Sequence, residues 1–253
     1  MRSYHHAVSV KDHFSRQSAE YQQFRPHYPK ALAAYLATVA PGTALALDVG
    51  TGNGQAAVDL AAHFDCVLAS DPSANQLKHR SAHARVQYLR HPAETLPVRT
   101  AAADLIAVAQ AAHWLDFPRF FAEARRVLRG AGVVALWTYS LFKVDAATDA
   151  VIDDFYGHRV GRFWPPERHY VDAEYRTLPF PLEEFAAPAF EIDARFSLEA
   201  LIRYVGTWSA VDRCRAQTGI DPLPELESRL RPLWAPGEVR RLKWPIHLRI
   251  GRV

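Results

Sequence analysis

The sequence predicts an α/β fold in which helices cover both faces of a mostly parallel β-sheet. Residues 45–55 read as an apolar strand, a glycine-rich turn and the start of a helix, the local unit of ligand-binding parallel sheets. Residues 103–109 are almost continuously apolar, as expected for a strand buried on both faces. Strand and helix patterns alternate through residue 139, which indicates right-handed crossovers between parallel strands.

Size and composition restrict the class of protein. The chain has 253 residues, a formal net charge of +3 and 49% apolar residues, which suits one large domain with a substantial core. No block of lysine and arginine is dense enough to predict nucleic-acid binding. No apolar run is long enough to span a bilayer, and Cys66 and Cys214 are too few for a disulfide framework. We therefore expect a cytoplasmic protein with neither a nucleic-acid nor a membrane partner.

Two helices are predicted in residues 1–42, before the first strand. The first covers residues 12–25 and ends at Pro26; the second starts at Pro29 and ends before Pro41 and Gly42. A parallel sheet does not require them. They could serve packing alone, or they could fold over the glycine turn as part of a lid.

The glycine turn carries the main functional signal. Gly50, Gly52 and Gly54 allow positive φ angles and a close ligand approach, and Asp48 lies two residues before them. A dinucleotide fingerprint would have its third glycine where this chain has Gln55. The pattern therefore favours a small, positively charged adenosine ligand over a dinucleotide.

The second strand, at residues 66–70, leads into another acidic residue. Asp71 lies about 20 residues beyond the glycine turn, where related sites place a carboxylate on ribose hydroxyls. Ser73 is predicted to cap the helix that follows. An acid in this position is also a common helix cap, so both roles remain open at this stage.

A polar and aromatic cluster follows the fourth strand. After a third strand at residues 86–89 and a fourth at 103–109, the chain continues Gln110-Ala111-Ala112-His113-Trp114. These residues lie at the carboxyl edge of the predicted sheet, the usual ligand edge. His113 and Trp114 could contact a substrate, or Trp114 could fill the core.

The remaining helices and strands are predicted from the spacing of apolar residues along the chain. The alternation fails between residues 140 and 188, a stretch rich in proline, aromatic and basic residues that is too long for a plain loop. It is predicted to be a helical insertion over the ligand edge. The other predicted elements are a helix at 118–129, strands at 133–139, 190–196 and 244–250, and helices at 198–211 and 222–231.

These motifs, in this order, resemble those of the class I S-adenosylmethionine-dependent methyltransferases. The resemblance rests on residues 48–55, Asp71, the Ala-Glu-x-Leu-Pro loop at 93–97, His113-Trp114 and residues 121–132. Flanking segments at 24–29, 164–168, 207–210 and 244–248 extend it over the whole chain. They resemble the small-molecule subgroup with a methyltransferase type 11 domain that includes trans-aconitate methyltransferase.

The resemblance implies a Rossmann-like fold with a seven-stranded sheet, an antiparallel last strand and a helical lid. It divides the single domain of residues 1–253 into N-terminal helices (1–42), a cofactor-binding core (43–140), a lid (141–188) and a part that completes the sheet (189–253). It also implies S-adenosyl-L-methionine as cofactor. The implied cofactor-binding residues are Arg25, Asp48, Gly50, Thr51, Gly52, Gly54, Gln55, Asp71, Pro72, Gln76, Ala93, Glu94, Gln110 and Ala111.

Within that set, the resemblance assigns regions of the cofactor. Asp48 and the glycine turn should lie by the methionine part, Asp71 on the ribose, and Ala93 and Glu94 beside the adenine. Arg25 is a candidate donor to the cofactor carboxylate. Residues 110–114 should line the floor of the active site.

The expected reaction is methyl transfer to a small molecule, and an anionic carboxylate is the favoured acceptor. A carboxylate needs no general base, whereas a phenol or an amine would make His113 the first base to test. The substrate-binding candidates are His113, Trp114, Arg159, Arg162 and Trp164, although the arginines could equally be solvated.

Two other functions stay open from the sequence. The chain could bind the cofactor without catalysis as a regulatory protein, or it could be a nicotinamide oxidoreductase, which Gln55 disfavours. His79, His83 and His91 suggest a metal site, but no acidic cluster accompanies them, so we expect no metal. The acceptor and the oligomeric state are not specified.

Overall fold

The structure, a computed structural model that describes residues 26–253, is built on one mixed β-sheet. Within these residues the sheet has eight strands in the order β3-β2-β1-β4-β5-β8-β6, and β7 also pairs with β8. The strands are β1 Leu45–Val49, β2 Cys66–Ser70, β3 Val86–Leu89, β4 Ala103–Ala109, β5 Leu128–Tyr139, β6 Glu183–Glu184, β7 Phe190–Ser197 and β8 Val239–Arg252.

The predicted sheet is confirmed in its parallel part and in its antiparallel last strand. Strands β1 to β5 are parallel, and β8 runs antiparallel to β5. The described sheet has eight strands where seven were expected, because β8 is twice as long as predicted and pairs with an additional short strand. Its first half pairs with β7, and its far end, at Gly251 and Arg252, also pairs with the two-residue strand β6.

The helices surround this sheet. One expected element, the helix at residues 12–25, lies outside the described residues. The described α-helices are α1 Lys30–Val39, α2 Gln55–Leu60, α3 Ala74–Lys78, α4 Phe117–Val127, α5 Ala146–Asp154, α6 Arg168–Asp172, α7 Leu198–Gly206, α8 Ser209–Thr218 and α9 Leu223–Leu230.

Two boundaries differ from the sequence prediction. The single helix expected at residues 198–211 is two helices, because Thr207 turns its hydroxyl back onto the carbonyl of Tyr204 (2.7 Å) and ends α7. The strand expected to start at residue 133 starts at Leu128, where it pairs with β4. It then leaves the ladder through Ala131 (φ 62°) and rejoins it at Val133.

The hydrophobic core lies on both faces of the sheet, as the apolar run of β4 predicts. Along β4, Leu105 packs with the cluster on one face, which includes Leu36 and Trp137. Its neighbour Ile106 packs with the cluster on the other face, which includes Phe120. Both faces are therefore closed, and the ligand edge is left at the carboxyl ends of the strands.

The predicted insertion is helical and lies over that edge. Helix α5 runs directly into a π-helical turn at Phe155–Arg159, followed by a 3₁₀ turn at Gly161–Phe163 and then α6. Helix α6 packs against the 3₁₀ turn Ala112–Trp114 that follows β4. Among residues 26–253, no helix has the length and apolar character needed to cross a membrane.

Candidate active site

The structure gives different reasons for the presence of glycine at the three positions of the turn. All three take left-handed φ angles: +68° at Gly50, +57° at Gly52 and +87° at Gly54. A Cβ on Gly50 would lie 2.6 Å from the Cβ of Ala111, and one on Gly54 would overlap the ring of Tyr88. Packing within the protein therefore explains these two.

Gly52 is different because the described part of the chain leaves the space beside it open. Among residues 26–253, a Cβ there would meet only the Gln76 side-chain oxygen, at 3.8 Å. Apart from the left-handed backbone, nothing in these residues requires a glycine at this position. The absence of a side chain at Gly52 therefore leaves room for a ligand.

Asp71 joins the second strand to the glycine turn. Its Oδ2 accepts from the N–H of Gly52 at 2.9 Å, and its Oδ1 accepts from the N–H of Ser73 at 2.8 Å. Ser73 in turn caps α3 through its hydroxyl, as predicted. Asp71 thus supports the turn and the following helix with both carboxylate oxygens, at the position where related sites place a ribose.

Asp48 lies beneath the turn with its side chain fully buried. Its Oδ2 accepts from the hydroxyl of Thr51 at 2.5 Å, whereas its Oδ1 has no hydrogen-bond partner within residues 26–253. Burial raises the pKa of Asp48 to about 7, against the lowering effect of the Thr51 hydrogen bond. A cationic ligand near the turn would favour the ionised form of this buried carboxyl.

Several other predicted cofactor residues have structural partners in the protein. Gln55 donates from its side chain to the carbonyl of Pro26 (3.0 Å), which ties the N-terminal segment to the turn. The carbonyl of Pro72 accepts from Arg90 (3.0 Å), and Gln76 is buried beside Gly52. Gln55 is thus attached to the N-terminal segment, while Gln76 faces the open space.

The predicted adenine loop is anchored to the start of α4. Ala93 is buried, and Glu94 accepts from the N–H of Asp116 at 3.1 Å. Asp116 caps α4 by accepting from the N–H of Arg119. The loop is therefore held next to the residues that follow β4.

The end of β4 is a constrained turn. Gln110 has a left-handed φ of 55° although it is not glycine, and its N–H donates to the carbonyl of Trp137 at 2.9 Å. Its side-chain oxygen accepts from the hydroxyl of Thr138 at 2.5 Å. The turn brings Ala111 against Gly50 and so connects the cofactor loop with the floor of the cleft.

His113 is the most perturbed group in this region. Its Nδ1 lies 2.9 Å from the hydroxyl of Tyr175, and its ring centroid is 4.8 Å from that of Trp114. Burial, with a smaller effect from the positive charge of Arg168, lowers the pKa of His113 to about 3. His113 is therefore neutral at physiological pH.

The two arginines predicted to bind the acceptor have partners away from His113. Arg159 is paired with Glu225 of α9 (2.5 Å), and the exposed Arg162 stacks on Phe163 with its guanidinium carbon 4.7 Å from the ring centroid. Neither of these contacts involves His113 or the turn after β4.

Arg168 packs on two aromatic rings of the insertion. Its guanidinium carbon lies 4.5 Å from the ring centroid of Trp164 and 5.3 Å from that of Tyr156, and its Nε donates to the Tyr156 hydroxyl at 2.7 Å and to the Asp172 carboxylate at 3.3 Å. The Arg168 charge also acts on His113. Trp164 thus contacts this arginine, and its contact with an acceptor stays a prediction.

Tyr175 and Arg168 were not among the site residues predicted from the sequence. Both were visible only as members of a dense aromatic and basic segment, more than 50 positions beyond His113. The predicted donor Arg25 lies outside the described residues. Among residues 26–253, no group of three histidine, cysteine, aspartate or glutamate side chains could hold a metal ion.

Comparison with known proteins identifies the family. The methyltransferase domain family matches residues 47–136, from β1 to β5. A protein of Dictyostelium discoideum, provisionally named a methyltransferase, is 33% identical over 223 residues, which cover 87% of this chain and 85% of that protein. The chain belongs to the S-adenosylmethionine-dependent methyltransferases. S-adenosyl-L-methionine is accordingly its cofactor.

Further relatives agree with this family. A type II methyltransferase of Anaeromyxobacter dehalogenans, also provisionally named, has a solved structure that is 47% identical to this chain. It superimposes with a TM-score of 0.85 over 90% of this chain and 98% of its own. An uncharacterized methyltransferase of Mycobacterium bovis is 33% identical over 198 residues, which cover 78% of this chain and 76% of the relative.

The described residues fit this cofactor. The space beside Gly52 admits a ligand close to the described backbone, Asp71 places a carboxylate at the turn, and a nearby cation would stabilise the ionised form of the buried Asp48. S-adenosylmethionine contains ribose hydroxyls and two positive groups, the sulfonium and the α-ammonium. The methyltransferase can therefore hold it at the carboxyl ends of β1 and β2.

Proposed function

We propose that this methyltransferase methylates a small anionic acceptor, a carboxylate, at the cleft formed by the 3₁₀ turn after β4 and the insertion. The observation that carries the proposal is the environment of His113. With a pKa lowered to about 3, this histidine is too weak a base to take a proton from a phenol or an ammonium group at neutral pH. A carboxylate needs no such step, because it is ionised already.

The cofactor supplies an activated methyl group and a neutral leaving group, so the protein has to align the acceptor and exclude water. Asp71 would hold the ribose hydroxyls, and the backbone around Gly52 would receive the methionine part. Gln76 would contact the same space from α3. Ala93 and Glu94 would border the adenine. These roles are inferred from the positions of the residues and from the family resemblance.

The acceptor would be held by a cation and an aromatic wall. Arg168 carries the charge next to His113, and Tyr156 and Trp164 pack on its guanidinium. Among the described residues, this guanidinium donates hydrogen bonds through its Nε alone, to the Tyr156 hydroxyl and to the Asp172 carboxylate. Its two Nη groups therefore remain for a carboxylate, which arginine can bind with two parallel hydrogen bonds.

The size of the acceptor follows from the same surroundings. Trp114 packs against His113, and helix α6 of the insertion packs against the 3₁₀ turn that contains both residues. An acceptor site between this turn and the insertion suits a small molecule better than a polymer. The resemblance to the subgroup of trans-aconitate methyltransferase supports a small carboxylic acid, while the identity of that acid is left to experiment.

Matched arginine variants test the proposal. Arg168→Gln should lower kcat/KM for the best carboxylic acid about 10- to 100-fold through the loss of one charged hydrogen bond, with unchanged affinity for S-adenosylhomocysteine. Arg159→Gln removes a similar charge from the same insertion and should leave kcat/KM within about twofold, because its partner is Glu225.

The opposite pattern would overturn the assignment. A large effect of Arg159→Gln with none of Arg168→Gln would return the acceptor to the arginine favoured by the sequence. A best acceptor that is a phenol or an amine would reject the carboxylate altogether. Affinity for S-adenosylhomocysteine without turnover on any acceptor would favour the regulatory alternative.

A further inference from the structure

Tyr175 is a buried phenol in an unusual backbone position. Its side chain is fully buried, and its hydroxyl lies 2.9 Å from Nδ1 of His113. Both Tyr175 (φ 60°) and the preceding Glu174 (φ 57°) are left-handed although neither is glycine. Two consecutive residues of this kind are disfavoured and persist only where the surroundings fix them, which is typical of functional sites.

The surroundings of this turn do fix it. Arg249 of β8 donates from Nη1 to the carbonyls of Tyr175 (3.2 Å) and Leu178 (2.7 Å). The same guanidinium binds Glu184 with two hydrogen bonds, at 2.9 and 2.7 Å. The N–H of Tyr175 donates to the carbonyl of Tyr170 at the end of the insertion (2.8 Å). The phenol is therefore held in place from both sides.

The groups around the phenol oxygen determine the direction of its hydrogen bond to His113. The phenol is fully buried, and Nδ1 of His113, at 2.9 Å, is the acceptor that the described residues place within hydrogen-bond distance of its hydroxyl. If Nδ1 donated a proton of its own to the phenol oxygen, the phenol proton would be buried without an acceptor among these residues, which is unfavourable. The Tyr175 hydroxyl must then donate to Nδ1, and the histidine proton resides on Nε2.

We propose that Tyr175 is a positioning residue that holds His113 as the Nε2–H tautomer, so that His113 gives the methyl acceptor a hydrogen-bond donor and not a base. The inference rests on the proposed function and makes it more specific. His113 Nε2 has no hydrogen-bond partner among residues 26–253. Together with Arg168, it forms a donor pair that selects acceptors with an anionic oxygen.

The tautomer can be measured without any substrate. Two-bond ¹H–¹⁵N correlation spectra of the histidine rings distinguish a protonated Nε2 from a protonated Nδ1, and His113→Gln identifies the His113 signals. We expect a pure Nε2–H pattern in the unmodified chain. Tyr175→Phe should give a mixture of tautomers, and Tyr170→Phe, the same change at a phenol not bonded to His113, should leave the pattern intact.

Kinetics then connect the tautomer to the reaction. Tyr175→Phe should raise KM for the acceptor about 10-fold while the affinity for S-adenosylhomocysteine stays unchanged. A glutamine amide can replace an Nε2–H donor but cannot act as a base. His113→Gln should therefore retain most of the activity that His113→Leu loses, and this comparison remains informative if Tyr175→Phe does not fold.

Two results would overturn the inference. One is a protonated Nδ1 in the unmodified chain, and the other is a His113→Gln variant as inactive as His113→Leu. A neutral best acceptor combined with the expected Nε2–H spectrum would instead reject the carboxylate while leaving the role of Tyr175 intact. The spectroscopic and kinetic parts thus separate failure of this inference from failure of the proposed function.

Discussion

Asp48 shows at the scale of one residue how a ligand-binding loop can reduce stability. Its pKa is raised to about 7, mainly by burial, so the folded chain keeps a proton that the unfolded chain releases near pH 4. The folded state then binds more protons between about pH 4 and pH 7. Its free energy of unfolding must fall as the pH rises through this window.

The replacement Asp48→Asn should remove this dependence. Between pH 5 and pH 8, the melting temperature of the variant should rise by a few degrees relative to that of the unmodified chain. The expected size is roughly 2–4 °C for each kcal/mol of difference in the free energy of unfolding. Replacement of the exposed Asp65 by asparagine should give no such gain. If the melting temperatures of Asp48→Asn and of the unmodified chain change with pH in the same way across this range, the burial argument is refuted.

Single residues also mark the limit of sequence reasoning. The position of Asp71 beside the glycine turn was predictable, because only one helix and one strand separate the two along the chain and fix their distance. Arg159 and Arg168 have the same chemistry and lie nine positions apart in one insertion. Only the fold shows that the first meets Glu225 of α9 and the second lies near His113.

At the scale of an element, the glycine turn combines two different requirements. Gly50 and Gly54 are needed because Ala111 and Tyr88 pack against them, whereas the described residues leave the space beside Gly52 open. The sequence pattern shows three similar glycines. It could not separate them, because the contacts come from β3 and from the turn after β4.

A pair of variants isolates the ligand space at Gly52. Gly52 (φ 57°) and Gly219 at the end of α8 (φ 71°) are both left-handed, and neither is crowded by atoms of residues 26–253. Replacement of either by alanine should destabilise the fold by a similar amount, about 1–2 kcal/mol. Gly52→Ala alone should weaken S-adenosylhomocysteine binding, by about 10-fold or more. Equal affinities in the two variants would mean that Gly52 serves only the turn.

At the scale of the whole molecule, the sequence predicted the fold better than the cleft. Repeated apolar patterns identify β1 to β5 and their helices because each strand must be buried by the helix next to it in the chain. The two-residue strand β6 and the partners of β8 depend on pairing between distant segments, which leaves no local pattern. The same applies to Tyr175, which reaches His113 through a turn held by Arg249.

The cleft is therefore a product of the complete fold. The glycine turn belongs to the first part of the sheet, His113 to the turn after β4, and Arg168 and Tyr175 to the insertion. Under the proposed function, a chain that binds the cofactor with the first part alone would still lack the acceptor site. Binding of S-adenosylhomocysteine and catalysis are for this reason separate properties, and only turnover tests the combined account.

The most direct test uses cofactor labelled in the transferred methyl group with a panel of small carboxylic acids, phenols and amines. Methyl esters release the label as methanol in mild base, whereas methyl ethers and methylamines retain it. The account predicts enzyme-dependent transfer to a carboxylic acid that yields a base-labile product, and about 10- to 100-fold less of it with Arg168→Gln at limiting acceptor. Base-stable products, or no transfer by a chain that binds S-adenosylhomocysteine, would contradict it.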